Sequence, residues 1–553
     1  MPKVILDRKE VEKLIEKKLT TEELKDSLTF LGTDLDKIDD REIIVEIFPD
    51  RPDLLSEAGL ARALASFIGY KTGLRKYKVL KSDYKVIIHD SVKDVRPYTA
   101  CAVVKNLKLN DARIKQIIQL QEKLHITYGR NRKKVAIGIY PFEKIKFPIR
   151  FLAKQNNEIK FQPLDFDKEL TANEILERHP AGKEYGHLLK DFKKYPLFID
   201  ANNNILSMPP IINSELTGKV TEKTKDIFIE CSGFDFRILK KCLNIIVCAL
   251  ADLNGVIYEN ELIYDNKKEI TPNLIPEEMK LDINYANKIL GLNLNENDVK
   301  KLLERMGYNY ENKTVLIPAY RADILHEIDL VEDIGIAYGF NNFKEQIPNI
   351  ATIGEENNFY LFKEKIANLL TGYNLIEVRN YNLTNKNNLF NKMNYNGEAI
   401  LLANSISQGY DTLRTWIIPS LIETLAKNKH NEYPQNIFEI GTIFKKGDTE
   451  TGIIENERLA IALCHSKANF TEIKQILDSL LLTLGLKYEI KEIEHSSFIP
   501  GRVGRVSVNN KNIAYIGEIH PKVLENWSLE IPVATLELNL TELYNLIKLT
   551  QII

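Results

Sequence analysis

Cysteine is scarce in this chain of 553 residues: there are five, at Cys101, Cys231, Cys242, Cys248 and Cys464. The number is odd and no Cys-x-x-Cys spacing occurs, which excludes a disulfide framework and a zinc ribbon. Their neighbours are apolar, as in Val247-Cys248-Ala249, so they read as small core residues in a reducing compartment. Long hydrophobic runs are missing as well. The longest candidate, Ile245 to Ala251, stops at Asp252, far short of the ~18 apolar residues of a membrane helix. The stretch Met1-Pro2-Lys3-Val4-Ile5-Leu6-Asp7-Arg8 turns charged too soon for a secretory leader. A cytoplasmic protein with no membrane partner is expected. Nor is either charge in excess: 75 Lys and Arg face 77 Asp and Glu, a formal balance of −2. That argues against a simple basic nucleic-acid binder and leaves such a surface to local patches.

What is there is an ordinary globular composition, 44% hydrophobic and 27% charged. At ~150 residues per domain the length allows three or four domains. Val4-Ile5-Leu6 reads as a strand, and Val11, Leu14, Ile15 and Leu19 follow at helical spacing. A strand at Glu42 to Ile47 is broken by Phe48-Pro49-Asp50-Arg51-Pro52, after which Asp53 is a candidate cap for the next helix. Lys71 to Lys81 reads as a basic connection. Strands at Ala102 to Val104, Val135 to Ile139 and Ile227 to Glu230 enclose a helix from Ala112 to Leu124, and Leu239 to Leu250 is an apolar helix. Two short helices flank Gly291-Leu292, the second with a capping-box pair at Asn295 and Asp298. A helix at Phe359 to Leu370, another at Pro419 to Lys427 and a strand-rich stretch from Val503 to Ile519 fill the last block.

Three segments could carry chemistry. From Arg321 to Ile334, Asp329, Glu332 and Asp333 fall at i, i+3 and i+4, so they share one helix face. Like charges at that spacing destabilise a helix unless a cation offsets them. They read either as a solvated acidic face or as oxygen ligands for Mg²⁺, while Asp323 reads as an N-cap. Gly129-Arg130-Asn131-Arg132-Lys133-Lys134 is the densest basic cluster, either a solvated loop or a phosphate contact. Ser207 and Asn213 are polar residues within apolar runs around a Pro-Pro turn, and a buried polar group needs a partner, structural or ligand. The nine histidines are scattered, and no nucleophile elbow, Walker loop or dinucleotide fingerprint occurs.

Several of these stretches together resemble one family. Phe48-Pro49-Asp50-Arg51-Pro52-Asp53-Leu54-Leu55 and Gly59-Leu60-Ala61-Arg62-Ala63 resemble the amino-terminal module of the beta subunits of phenylalanine–tRNA ligases. Pro318-x-Tyr320-Arg321-x-Asp323-Ile324-x-His326, continued by Asp329-Leu330-x-Glu332-Asp333-Ile334 and Tyr338-Gly339, resembles that family's most specific signature. Leu413-Arg414, Pro419-Ser420-Leu421, Phe438-Glu439-Ile440-Gly441 and Ile516-Gly517-Glu518-Ile519-His520-Pro521 follow in the expected order. The likeness covers nearly the whole chain and is to the archaeal and eukaryotic-cytosolic type.

The resemblance implies an α+β multidomain fold. An amino-terminal α/β module spans 1–80 and a mixed α/β editing module 86–265. A small helix-rich module of winged, DNA-binding-like type spans 270–345, and 350–553 forms a class II synthetase-like antiparallel core without its catalytic arginines. It implies a ligase that joins phenylalanine to tRNA with ATP and Mg²⁺. The enzyme is a heterotetramer of two alpha and two beta chains, and ATP is held mainly by alpha. Asp323, Asp329, Glu332 and Asp333 match the magnesium positions. Ser207 and Asn213 match pocket positions of a module that hydrolyses mischarged tyrosyl-tRNA, with Glu215 a nearby candidate and a water as nucleophile. Ile139-Tyr140-Pro141 departs from the Ile-His-Asp often found there. The competing readings are a free-standing aminoacyl-tRNA hydrolase and a non-enzymatic nucleic-acid adaptor.

Overall fold

The computed structural model describes residues 2–350 and 353–551. The expected modules 1–80 and 350–553 thus include residues 1, 351, 352, 552 and 553, which lie outside the described ones. The fold is α+β with several separate sheets, and the chain divides into two compact units, Met1–Ile347 and Pro348–Ile553.

In the first unit, strands Lys3–Asp7, Glu42–Glu46 and Asp34–Ile38 form an antiparallel sheet. Helix Glu57–Phe67 is buried along most of its length. Its N-cap is Ser56, which accepts from the Gly59 amide. Asp53 instead forms a buried bidentate pair with Arg51 at 2.9 Å, so the expected cap at Asp53 is displaced by three residues. Prolines at 49 and 52 hold the chain off the helix until Ser56.

Two larger sheets follow. One runs Ile212–Asn213, Ile205–Met208, Lys194–Ile199, Ile149–Gln155, Lys85–Ile88, Asn260–Ile263 and Lys268–Thr271. The other runs Val79–Leu80, Val256–Tyr258, Tyr98–Lys105, Ile227–Gly233 and Val135–Pro141. Ile227–Gly233 is buried at every position, as the apolar run Ile227 to Ile229 suits an inner strand. The sheets cut across two sequence boundaries. Val79–Leu80 pairs with Val256–Tyr258, and Lys268–Thr271 pairs with Asn260–Ile263. Both edge strands are too short for periodicity to reveal.

A three-stranded sheet of Glu277–Lys280, Thr314–Ile317 and Asn309–Glu311 carries helices Ile283–Leu290, Glu296–Arg305 and Glu327–Tyr338. Asn295 and Asp298 form the expected capping box. The second unit is built on a seven-stranded sheet whose long strands are Gln435–Lys446, Ile453–Cys464, Val533–Asn539, Lys511–Ile519 and Phe498–Val508, all antiparallel. Its core splits into two apolar clusters, one including Phe438, Leu477 and Leu536 and the other Ile418, Leu421 and Val523. No helix among the described residues is long and apolar enough to cross a membrane.

Candidate functional site

Register brings the first site together. Strand Ile205–Met208 turns at Pro209-Pro210 and returns as Ile212–Asn213, so Ser207 and Asn213 sit directly opposite each other. Cross-strand partners share a face. On the neighbouring sheet, Glu230 of Ile227–Gly233 lies opposite Gly138, and Phe228 lies opposite Tyr140. Ser207, Asn213 and Glu230 all line a cavity of about 350 Å³ with walls of Ile117, Ile137 and Ile227.

Three buried polar atoms in that lining lack a partner among the described residues: Ser207 Oγ, Glu230 Oε2 and Arg132 Nε. The other Glu230 oxygen accepts a long, weak contact from the Tyr140 hydroxyl at 3.3 Å, which also approaches Asn213 Oδ1 at 3.4 Å. Tyr140 is fully buried and stacked on Phe228, centroids 5.9 Å apart. Gly138 makes this possible: a Cβ there would stand 2.1 Å from the Tyr140 hydroxyl and 2.6 Å from Glu230 Oε1. Burial pushes the Glu230 carboxyl up to about 8, so at neutral pH it is an acid that both donates and accepts. Burial also drives the Tyr140 phenol well above its ordinary range.

The opposite wall is held by charge. Arg132 Nη1 donates to the carbonyls of Ile211 (2.8 Å) and Pro210 (3.3 Å), fixing the Pro-Pro turn. Its Nη2 reaches Glu122 Oε1 at 3.1 Å, and its guanidinium lies over the Tyr185 ring at 4.3 Å. Burial raises the Glu122 carboxyl, but His125 and Arg132 pull it down to about 2. His125 accepts from the Ile137 amide at Nε2 (2.8 Å), which places its proton on Nδ1 toward Glu122. Desolvation lowers its pKa and keeps it neutral.

Glu215 stands apart from these residues. It is absent from the cavity lining. Its oxygens are taken by Lys219 at 2.8 Å and the Asp165 amide at 2.9 Å, and its side chain anchors a loop. Sequence reading missed Glu230 and marked Tyr140 only as a departure from the family's pattern. Glu230 is a lone charge in the apolar run Ile227-Phe228-Ile229, which was the one available signal.

The acidic face is organised around Arg321, which is buried. Its Nε and Nη2 take Asp323 at 2.8 and 2.6 Å, and Nη2 also takes Asp333 at 2.7 Å. Tyr308 donates to the same Asp333 oxygen. Asp323 is in the loop before the helix, and the N-cap is His326. Asp329 completes the capping box and accepts from the Leu325 and His326 amides, each at 2.7 Å. Glu332 is held above its ordinary range by desolvation and then by Asp333, Asp50, Asp329 and Asp323. No three potential ligands converge on one point among the described residues. The donor chemistry still fits Mg²⁺, which takes oxygen, keeps several waters and is often bound through one or two carboxylates.

Comparison with known proteins fits this layout. Residues 83–245 match the B3/4 domain, 279–340 the tRNA synthetase B5 domain, and 344–540 the phenylalanyl tRNA synthetase beta chain CLM domain. Phenylalanine–tRNA ligase beta subunits from Thermococcus onnurineus and Pyrococcus abyssi are 43% and 45% identical, each over 98% of this chain and 99% and 100% of their own lengths. That from Archaeoglobus fulgidus is 38% identical over 99% of both chains. The chain belongs to the phenylalanine–tRNA ligase beta subunit family. A crystal structure of an N-terminal fragment of the Pyrococcus horikoshii phenylalanyl-tRNA synthetase beta subunit aligns with a TM-score of 0.59 and 41% identity. It covers 61% of this chain and 99% of the fragment. As a beta subunit, the chain is part of an aminoacyl-tRNA ligase. The B3/4 match spans Ser207, Asn213 and Glu230, and the B5 match spans the Arg321 network.

Proposed function

We propose that the cavity at Ser207, Asn213 and Glu230 receives the aminoacyl end of mischarged tyrosyl-tRNA and hydrolyses the ester. The observation that carries this reading is that Ser207 Oγ and Glu230 Oε2 are both buried without a partner among the described residues in the lining of one small cavity. Such atoms cost free energy until a ligand pairs them. Tyrosine brings a hydroxyl and phenylalanine does not, so phenylalanine leaves them unpaired, and that asymmetry discriminates strongly. Protonated Glu230 offers the hydroxyl both a donor and an acceptor. Asn213, placed across from Ser207, orients the ester end, and a water attacks its carbonyl carbon while the tRNA ribose oxygen leaves with a proton.

In this reading the chain works with an alpha chain and tRNA in a heterotetramer of two alpha and two beta chains. Alpha carries the aminoacylation site and most of the ATP contacts. Residues 1–80, 86–265, 270–345 and 350–553 act as amino-terminal, editing, winged and inactive class II-like modules. Asp323, Asp329, Glu332 and Asp333 would hold Mg²⁺ at the acidic face, Asp323 and Asp333 from within their pairs to Arg321. Bound there, it supplies charge neutralisation that locks the face.

The test is deacylation of tyrosyl-tRNA by the alpha–beta complex. Ser207→Ala and Asn213→Ala are each expected to slow it by about tenfold or more, the equivalent of one hydrogen bond made to a buried group. Glu215→Ala is expected to leave it near the parent rate. Equal rates for all three variants and the parent would exclude this cavity as the site.

A further inference from the structure

The second unit holds a cavity of its own, about 410 Å³ in volume, within the ~300–1,000 Å³ of small-molecule sites. One side of it is aromatic. His495 stacks on Tyr395 with centroids 4.7 Å apart and planes 15° apart. Trp416 and Tyr515 meet the same imidazole at 5.8 and 5.6 Å. Desolvation lowers the His495 pKa, so at neutral pH the cluster carries no charge and offers flat, apolar ring faces.

The other side is cationic. Lys445, Lys446, Arg458 and Arg505 all line the cavity. Carboxylates answer only part of that charge. Glu537 pairs with Arg458 at 2.9 Å, but its second oxygen is already taken by the Ile417 and Ile418 amides at 2.9 and 3.0 Å. Glu398 reaches Lys446 at 3.6 Å across solvent. Arg505 lies over the Tyr515 ring, 3.9 Å from its centroid. Lys445 is pushed below its ordinary range by desolvation and then by Arg458, and Arg505 is lowered by desolvation with Arg458 adding to it. Arg458 Nε is buried without a partner among the described residues. A folded chain that gathers repelling cations beside aromatic rings stores a cost that a ligand of opposite charge removes. A phosphate satisfies guanidinium and ammonium donors, and a nucleobase stacks on aromatic faces without a sequence requirement.

We propose that this cavity binds a mononucleotide, its phosphate among Lys445, Arg458 and Arg505 and its base against Tyr395, Trp416 and His495. The site belongs to the beta chain itself and is separate from both the ATP used in aminoacylation and the cavity at Ser207.

Trp416 is one of two tryptophans in the chain, so the full chain carrying Trp527→Phe reports on this cavity alone by fluorescence. AMP is expected to quench saturably. Inorganic phosphate and adenosine are each expected to bind at least about tenfold more weakly, because each engages only half of the site. Arg505→Ala is expected to weaken AMP by about tenfold through loss of a charge-assisted contact. Lys445→Ala is expected to do the same, and its exposed side chain makes it the safer variant for folding, checked by circular dichroism. The proposal is overturned if AMP fails to quench saturably, if it binds no tighter than inorganic phosphate, or if both substitutions leave its affinity unchanged. A single-stranded RNA that binds this site more tightly than AMP would assign it to a nucleic-acid strand and also overturn it.

Discussion

Burial holds the Glu230 carboxyl up to about 8 against an ordinary 4.5. Between those values the folded chain keeps a proton that the unfolded chain has released. The folded state therefore loses stability as pH rises through the window, and the contribution is fully present only below it. Glu230→Gln keeps the shape and cannot ionise, so its urea midpoint is expected to vary less with pH from 5 to about 8 than that of the parent. An identical pH slope in both proteins would place the Glu230 carboxyl in water. Glu332 is shifted upward as well, chiefly by desolvation and secondarily by neighbouring carboxylates. Its ionised form is thus destabilised in the fold, and stability falls as pH rises through its raised range. Glu332→Gln is expected to raise the thermal midpoint at neutral pH without metal and to remove most of any rise produced by Mg²⁺. An undiminished Mg²⁺ shift in the variant would move the ion elsewhere. At this scale the sequence showed Ser207 and Asn213 because they interrupt apolar runs. Tyr140 showed only as a departure from the family's pattern, because a tyrosine in a strand reads as ordinary and only Gly138 opposite Glu230 gives its hydroxyl room.

Elements were legible where periodicity is long. The helix follows from the carboxylates at 329, 332 and 333, which share one face, but its start differs from the expected cap at Asp323: Arg321 draws Asp323 into an ion pair, and His326 takes the cap. A loop arginine's choice of partner leaves no periodic trace. The basic cluster after Gly129 behaves similarly. Arg130, Asn131 and Arg132 all have left-handed backbone, with φ of 48, 52 and 62°. Arg132 turns inward to brace the Pro-Pro turn while Arg130 and Lys133 stay exposed. Composition alone counts these side chains as equivalent. In the second unit, Phe438-Glu439-Ile440-Gly441 gains a physical reading. Arg414 donates to Glu439 at 2.6 Å, both side chains being 1% exposed. A Cβ at Gly441 would stand 2.2 Å from Arg414 Nη2. Arg414→Ala leaves a buried carboxylate without a counter-charge, held only by Asn380, and is expected to cost about 3–5 kcal/mol in denaturant unfolding of this unit. A loss below about 1 kcal/mol would mean that water reaches Glu439 once the guanidinium is gone.

Across the whole molecule, the near-neutral balance conceals separated fields. The acidic face around Glu332 and the cationic cavity at Arg505 cancel in the sum of 75 against 77. Length and motif order revealed a multidomain beta subunit, while the pairing of Val79–Leu80 with Val256–Tyr258 did not follow from any local pattern. Two strand residues cannot announce a partner so distant in the chain. The central claim is that one small cavity separates tyrosine from phenylalanine by a hydroxyl. Its most direct measurement compares deacylation of tyrosyl-tRNA and phenylalanyl-tRNA by the complex of this chain with its alpha subunit. Tyrosyl-tRNA is expected to be hydrolysed faster by well over about tenfold, because phenylalanine leaves Ser207 and Glu230 unpaired. Equal rates for the two substrates, or no hydrolysis of either, would contradict it.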